Sequence, residues 1–206
     1  MKTKILLLAG VTVLAGCATQ LSDSERQMRA EKMFKEGFSK GTQEMAAHVV
    51  VQDEMQALCS KYPDKVPEEI AARLEKSQQA TLRYPASGGL VGDWREGEKI
   101  AQDGWGLRFT DTGQPNRKNG GNCYACHQLT KKELAYGNLG PSLYHFGKVR
   151  GFGPEVQKYA WGKVYNSHAF SACSSMPRFG TQGILTEQQI KDVVALLMDP
   201  DSPVNK

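Results

Sequence analysis

The chain has 206 residues, of which 40% are hydrophobic and 23% are charged, and its formal net charge is +4. This length suits one domain with an appendage, or two small domains. The sequence has no basic run and no interleaving of basic and aromatic residues, so its charge pattern does not indicate nucleic-acid binding.

Residues 1–16 have the features of a targeting segment. Lys2 and Lys4 precede an apolar run over residues 5–13 that is too short to span a bilayer as a permanent helix. The run ends at Leu14-Ala15-Gly16-Cys17, which resembles the lipobox of bacterial lipoproteins, where the cysteine is lipidated. We therefore predict a lipoprotein signal peptide over residues 1–16. The alternative is an ordinary signal peptide with a chance cysteine at its end.

The predicted location follows from the residue after Cys17. Ala18 stands there, and the absence of an aspartate favours the periplasmic leaflet of the outer membrane over the inner membrane. We expect a periplasmic protein that a lipid attaches to the membrane without spanning it. Removing the targeting segment also removes two lysines, which lowers the formal charge of the mature chain from +4 to +2.

Residues 17–85 are predicted to form a helical N-terminal extension. Ser22-x-x-Glu25 is a capping-box pattern, and Pro67 suits the first turn of a later helix. The extension has too little apolar surface for a core of its own, so we expect it to dock on the remainder of the chain. The glycine-rich segment 85–89 marks the boundary, and the second domain is predicted to cover residues 90–206.

Cys123-Tyr124-Ala125-Cys126-His127 is the stretch in which residue type and spacing together specify a chemistry. Cys-x-x-Cys-His is the attachment pattern of c-type haem, in which each thiol adds to one vinyl group and the histidine binds the iron. The alternatives are a zinc site built from cysteine and histidine, or a bare dithiol. We predict one covalent haem c bound by Cys123, Cys126 and His127.

The second axial position of the iron has four candidates downstream of the motif: His145, His168, Met176 and Met198. Met198 falls in a helix that the Thr186-x-x-Gln189 cap is predicted to start, so it is assigned to the core. Met176 lies in an irregular stretch, and Pro177 stiffens that loop. We predict Met176 as the sixth ligand, with His168 as the alternative. A neutral thioether raises the reduction potential, and six-coordinate iron has no free site for a substrate.

Five cysteines are present, and lipid and haem account for Cys17, Cys123 and Cys126. Cys59 and Cys173 remain. In an oxidising compartment they are candidates for a disulfide, but the sequence does not show whether their Cα atoms come close enough. A reactive thiol near the iron and a buried free cysteine stay open for Cys173.

Residues 90–206 resemble class I cytochromes c in the order of helix, haem motif, Gly-Pro pair, methionine loop and terminal helix. Three segments are more similar still to the SoxX-type cytochrome c subunits of the bacterial sulfur-oxidation (Sox) system. These segments are residues 121–127, 137–143 and 164–180.

The resemblance implies an all-α, class I cytochrome c fold around the haem. It also implies that Gly140-Pro141 places a backbone carbonyl against the second ring nitrogen of His127. SoxX-type subunits pair with a SoxA-type cytochrome, and the complex oxidatively couples thiosulfate to a cysteine of a sulfur-carrier protein.

On this resemblance the chain is the electron-accepting subunit of an L-cysteine S-thiosulfotransferase and is not catalytic alone. It would pass the electrons to a small cytochrome c. The alternative is a general membrane-anchored class I cytochrome c with no sulfur-specific partner. Trp161, Tyr165 and Arg178 are candidates to shape the haem edge, and packing alone is the other interpretation of the two aromatic residues.

Overall fold

The secondary structure of the described residues is entirely helical, which confirms the predicted all-α class. The computed structural model describes residues 21–37, 52–62, 65–86, 89–106, 108, 110–111, 114 and 116–206. The predicted signal peptide over residues 1–16 and the predicted lipid site Cys17 lie outside the described residues. The α-helices are α1 (Asp23–Gly37), α2 (Glu54–Lys61), α3 (Glu68–Gln79), α4 (Trp94–Gln102), α5 (Phe146–Arg150), α6 (Pro154–Tyr165) and α7 (Glu187–Met198).

Capping side chains set the starts of several helices, as the sequence predicts. Before α1, the Ser22 amide donates to the Glu25 carboxylate at 2.8 Å, and the Ser22 hydroxyl accepts from the Glu25 amide. Thr186 and Gln189 form the reciprocal pair at the start of α7. The predicted helix after Pro67 begins at Glu68, with Pro67 as its N-cap.

The core of the second domain is built on the crossing of α4 with α7. Gly97 lies at the crossing, where a Cβ atom would be 2.0 Å from the carbonyl oxygen of Asp192, so only glycine allows the two backbones to approach this closely. Ala101 on α4 and Ile190 and Val194 on α7 are fully buried around this contact. Because the backbone just before the Cys-x-x-Cys-His motif is hydrogen-bonded to the end of α4, the crossing anchors that motif to the core.

The extension packs against the second domain. Leu74 of α3 and Met55 of α2 are buried. The Asn166 side chain donates to Gln78 and to Thr81, and the Trp161 indole N–H donates to the Arg83 carbonyl at 2.8 Å. Residues 74–83 are therefore attached to α6 and to the turn that follows it.

Helix α1 differs from α2 and α3 because it contributes no buried residue. Within the described part of the chain, no helix combines the length and the apolar character that crossing a membrane requires.

Candidate functional site

The Cys-x-x-Cys-His motif lies on a short 3-10 helix, Cys123–Ala125, that is fixed to the end of α4. The amide of Gly121 donates to the Ile100 carbonyl at 2.8 Å, and that of Asn122 donates to the Asp103 carbonyl at 3.0 Å. Asn122 adopts a left-handed conformation with φ of 46°, which turns the chain into the motif. The last turn of α4 thus determines where the two cysteines lie.

Cys123 and Cys126 are half-buried and carry free thiols, whereas the other two cysteines among the described residues are joined to each other. Burial raises the pKa of the Cys123 thiol to about 12, so this thiol is protonated at neutral pH. Because neither thiol is in a disulfide, both sulfur atoms remain able to form thioether bonds.

His127 is oriented by the segment that follows the motif. Its Nδ1 lies 2.7 Å from the Pro141 carbonyl oxygen. Because a carbonyl oxygen only accepts hydrogen bonds, Nδ1 must carry a proton, and in the neutral ring the lone pair then lies on Nε2, where it can bind a metal. A carbonyl that accepts from the second ring nitrogen is the usual support of a metal-bound histidine.

The Pro141 carbonyl reaches His127 because residues 137–143 run alongside the motif. The amide of Gly137 donates to the Tyr124 carbonyl and that of Gly140 to the Cys126 carbonyl, both at 2.9 Å. A Cβ atom on Gly140 would lie 2.1 Å from Cε1 of the His127 ring. Glycine at this position leaves the space that the imidazole occupies.

Met176 lies in the loop between α6 and α7, at the margin of the core. Its carbonyl accepts from the Ser167 hydroxyl at 2.6 Å, and its amide donates to the Ser174 hydroxyl at 3.2 Å. These bonds hold the backbone at Met176, while the thioether has no polar partner to displace.

His168, the alternative sixth ligand, is only 7% exposed, and its Nδ1 has no hydrogen-bond partner. Its Nε2 lies 2.8 Å from the Ser174 carbonyl, so Nε2 carries the proton and Nδ1 keeps its lone pair. Burial lowers the pKa of His168, which favours this neutral form. Met176 and His168 therefore both remain available as ligands.

Met176 and His168 line the same cavity, which has a volume of about 770 Å³. Its wall includes residues of the extension as well as of the methionine loop: Gln52, Gln56 and Ser60 from the extension, and Ser174, Arg178 and Gln182 from the second domain. The space beside the thioether is therefore enclosed in part by the extension.

These residues fit a covalently attached haem. The donor set offers two free thiols at the right spacing, an imidazole whose Nε2 lone pair is available, and a thioether or a second imidazole. Gly140 fits the same group, because a Cβ atom at this position would clash with the His127 ring. Within the described ranges, no three His, Cys, Asp or Glu side chains form a group that could hold a metal ion directly.

The remaining candidates have other contacts. Met198 is buried in α7, as predicted, and His145 stacks on Tyr144 and contacts the backbone of Lys206. Arg178 is buried and forms an ion pair with Asp53 of the extension. Its predicted place at a haem edge stays a prediction.

Three contacts connect the extension to the loop that carries Met176: a disulfide, an ion pair and a hydrogen bond. The sequence left the pairing of Cys59 with Cys173 open, and the structure joins them with Cα atoms 5.4 Å apart. Asp53 and Glu75 are the residues that sequence reasoning missed. No local pattern marks either of them, and the leftover pair of cysteines was the one signal that tied this part of the extension to the loop.

No family model matches the chain. A protein of Aquifex aeolicus (strain VF5), named an uncharacterized lipoprotein, is 38% identical over 215 residues, and the match covers 100% of both chains. The chain belongs to this family of lipoproteins. Because the match runs over the full length of both lipoproteins, it spans the extension as well as the second domain.

Proposed function

We propose that this lipoprotein is a c-type cytochrome with one covalent haem c and that it acts as an electron-transfer subunit. The observation that carries the proposal is the 2.7 Å hydrogen bond between His127 Nδ1 and the Pro141 carbonyl. It fixes the tautomer and orientation that an iron-binding imidazole needs, next to two unpaired thiols.

Each residue of the site then has one role. Cys123 and Cys126 hold the porphyrin through thioether bonds, His127 is the proximal ligand, and Met176 is the distal ligand. When bound, the haem supplies a one-electron couple, and the neutral thioether favours its ferrous state. A haem held by both His127 and Met176 would leave no site for a substrate at the iron, so its chemistry would be electron transfer and not catalysis by this chain alone.

The sulfur-specific part of the proposal is supported by the similarity of residues 121–127, 137–143 and 164–180 to SoxX-type subunits. A SoxA-type partner would join thiosulfate to the cysteine thiol of a sulfur-carrier protein. That forms one sulfur–sulfur bond and releases two electrons and the thiol proton. The haem of this chain would accept the electrons one at a time and pass them to a small cytochrome c.

A general electron carrier is the second candidate, and a lipid anchor on the chain that would hold the haem is compatible with it. The lipoprotein of Aquifex aeolicus corresponds to this chain from end to end, extension included. A membrane-anchored carrier between a respiratory complex and an oxidase would need the anchor and the haem domain but no sulfur-specific partner.

The lipoprotein family also supports the proposed location. The Leu14-Ala15-Gly16-Cys17 pattern and the name of the relative agree on a lipid anchor. We propose that the mature protein lies in the periplasm and that Cys17 attaches it to the periplasmic leaflet of the outer membrane.

Reconstitution with a SoxA-type cytochrome and a sulfur carrier separates the two functions. We expect thiosulfate to reduce the haem of this chain only when both partners are present, as followed by its absorption spectrum. A carrier whose reactive cysteine is replaced by serine is the matched control and should abolish the reduction. If the haem stays oxidised with thiosulfate but is reduced by a respiratory donor complex, the general carrier is the correct function.

A further inference from the structure

Three contacts of different chemical kinds connect the extension to the seven-residue stretch 172–178 that contains Met176. The Cys59–Cys173 disulfide links α2 to the loop across 114 residues of sequence. The Asp53 carboxylate pairs with the Arg178 guanidinium, and the Glu75 carboxylate accepts from the Ala172 amide at 2.9 Å. The contacts lie on both sides of Met176, so the extension restrains the loop before and after the ligand.

The backbone of the loop depends on outside restraint at one of these contacts. Cys173 has a φ of 58°, in the left-handed region that residues with a side chain rarely adopt. Such a conformation persists only where the surroundings hold it in place. Here two contacts hold it in place: the disulfide to α2 and the hydrogen bond from the neighbouring Ala172 amide to the Glu75 carboxylate.

The ion pair between Asp53 and Arg178 is less exposed to solvent than an ion pair on the protein surface. The Arg178 side chain is 9% exposed, and the Asp53 side chain is 40% exposed. Asp53 is also the N-cap of α2, where its carboxylate accepts from the Gln56 amide. One carboxylate therefore orients α2 and contacts the residue two positions after Met176.

Resting on the proposed function, we propose that Cys59, Asp53 and Glu75 are positioning residues for the sixth ligand of the haem. They hold the Met176 thioether against the iron from outside the haem domain. The physical reason is that a neutral thioether binds iron weakly, so the bond survives only when the loop that carries it has little freedom to move away. Without the restraint, the loop that carries Met176 would move more freely, and the thioether would be replaced more readily by an external ligand.

The experiment compares the wild-type holoprotein with the variants C59S/C173S, D53N and E75Q. The asparagine introduced by D53N can still cap α2 through its side-chain oxygen, so this variant removes the charge and keeps the cap. E54Q is the matched control, because Glu54 is the exposed neighbouring carboxylate on the same helix. The readouts are the methionine-to-iron charge-transfer band of the ferric protein, the rate of cyanide binding and the reduction potential.

We expect C59S/C173S to lose most of the methionine band, to bind cyanide at least about tenfold faster and to have a lower potential. D53N and E75Q should each speed cyanide binding by about two- to fivefold, and E54Q should match the wild type. Helicity measured by circular dichroism checks that each variant folds. Because the two single-charge variants leave the disulfide in place, they test the proposal even if C59S/C173S does not fold.

The outcomes separate this inference from the proposed function. Covalent haem with an unchanged band, cyanide rate and potential in all three variants would overturn the positioning role and leave the cytochrome intact. A lower melting temperature with unchanged ligation would show that the contacts are structural only, and this also overturns it. Absence of covalent haem from the wild type would overturn both.

Discussion

His127 and His168 use their two ring nitrogens in opposite ways. His127 donates from Nδ1 to the Pro141 carbonyl and leaves Nε2 free, whereas His168 donates from Nε2 to the Ser174 carbonyl and leaves Nδ1 without a partner. In the neutral form, each ring therefore has its lone pair on the nitrogen that makes no carbonyl contact. For His127 this matches the proximal role, and for His168 it keeps a second distal ligand available beside Met176.

Replacing Met176 and His168 in turn decides which residue is the distal ligand. We expect M176A to lose the methionine-to-iron band, to lower the reduction potential and to admit cyanide freely, because the neutral thioether is removed. H168A should keep the band and the potential, which makes it the matched control. If H168A lowers cyanide resistance while M176A leaves the spectrum unchanged, His168 is the ligand.

The charge of Asp53 predicts a pH dependence of stability. Burial opposes ionisation of this carboxyl, but hydrogen bonds from the Gln56 amide and from Arg178 outweigh it and hold its pKa below the ordinary value of 3.8. The ionised form is therefore favoured by folding. Its contribution is fully present above the unfolded pKa and is lost as the pH falls from there through the folded pKa.

We expect the urea midpoint of the wild type to fall more steeply below about pH 4 than that of D53N. Near neutral pH, the urea midpoints of the two proteins should change with pH in the same way, because Asp53 is fully ionised in both the folded and the unfolded wild-type chain. Unfolding curves over this pH range, with E54Q as the control, measure the difference. If the urea midpoints of D53N and the wild type fall equally steeply in acid, the contacts of Asp53 do not favour its ionised form in the folded state.

At the scale of elements, the crossing of α4 with α7 is what connects the core to the haem motif. Gly97 has no room for a side chain, and the closest obstacle is backbone at the Asp192 carbonyl, which cannot rotate away. We expect G97A to destabilise the fold by about 1–3 kcal/mol, since overpacking a tight contact forces the helices apart.

G37A is the matched control for the crossing, because a Cβ at Gly37 would meet no atom within 4 Å. Chemical unfolding should show a loss of stability in G97A and none in G37A. The backbone before Cys123 is hydrogen-bonded to the end of α4, so haem incorporation should also fall in G97A. Equal stability of G97A and wild type would mean that the helices can separate freely and that the crossing does not anchor the motif.

Local patterns predicted the elements well, because caps act over a few residues. The boxes at Ser22 and Thr186 both form, and the helix after Pro67 begins where expected. The orientation of His127 was predicted through the Gly140-Pro141 pair and its resemblance to class I cytochromes c. The contacts of Asp53 with Arg178 and of Glu75 with Ala172 were not predicted, since they join residues 125 and 97 positions apart.

At the scale of the whole molecule, the extension forms part of the wall of the cavity that Met176 and His168 line. Its second and third helices contact the methionine loop, α6 and the turn after α6, and its residues line the cavity beside Met176. The lipid predicted on Cys17 would connect this same extension to the membrane. In this proposal the lipid anchor and the loop that carries Met176 would be attached to one segment of the chain.

The anchor is tested by replacing its cysteine. We expect C17S to lose incorporation of labelled fatty acid and to move from the membrane fraction to the soluble fraction after cell breakage, because no other lipid site is predicted. C59S/C173S is a useful comparison, since it changes two cysteines and keeps Cys17. A C17S protein that remains with the membrane would contradict the lipid anchor.

The central claim is that Cys123 and Cys126 hold a haem covalently, and mass spectrometry of the denatured holoprotein tests it most directly. We predict a mass increase of one haem per chain that persists after denaturation, together with the spectrum of thioether-linked haem. C123S/C126S should lack this increase. A wild-type chain whose mass equals that of the bare polypeptide, or which retains zinc in place of haem when native, would contradict the account.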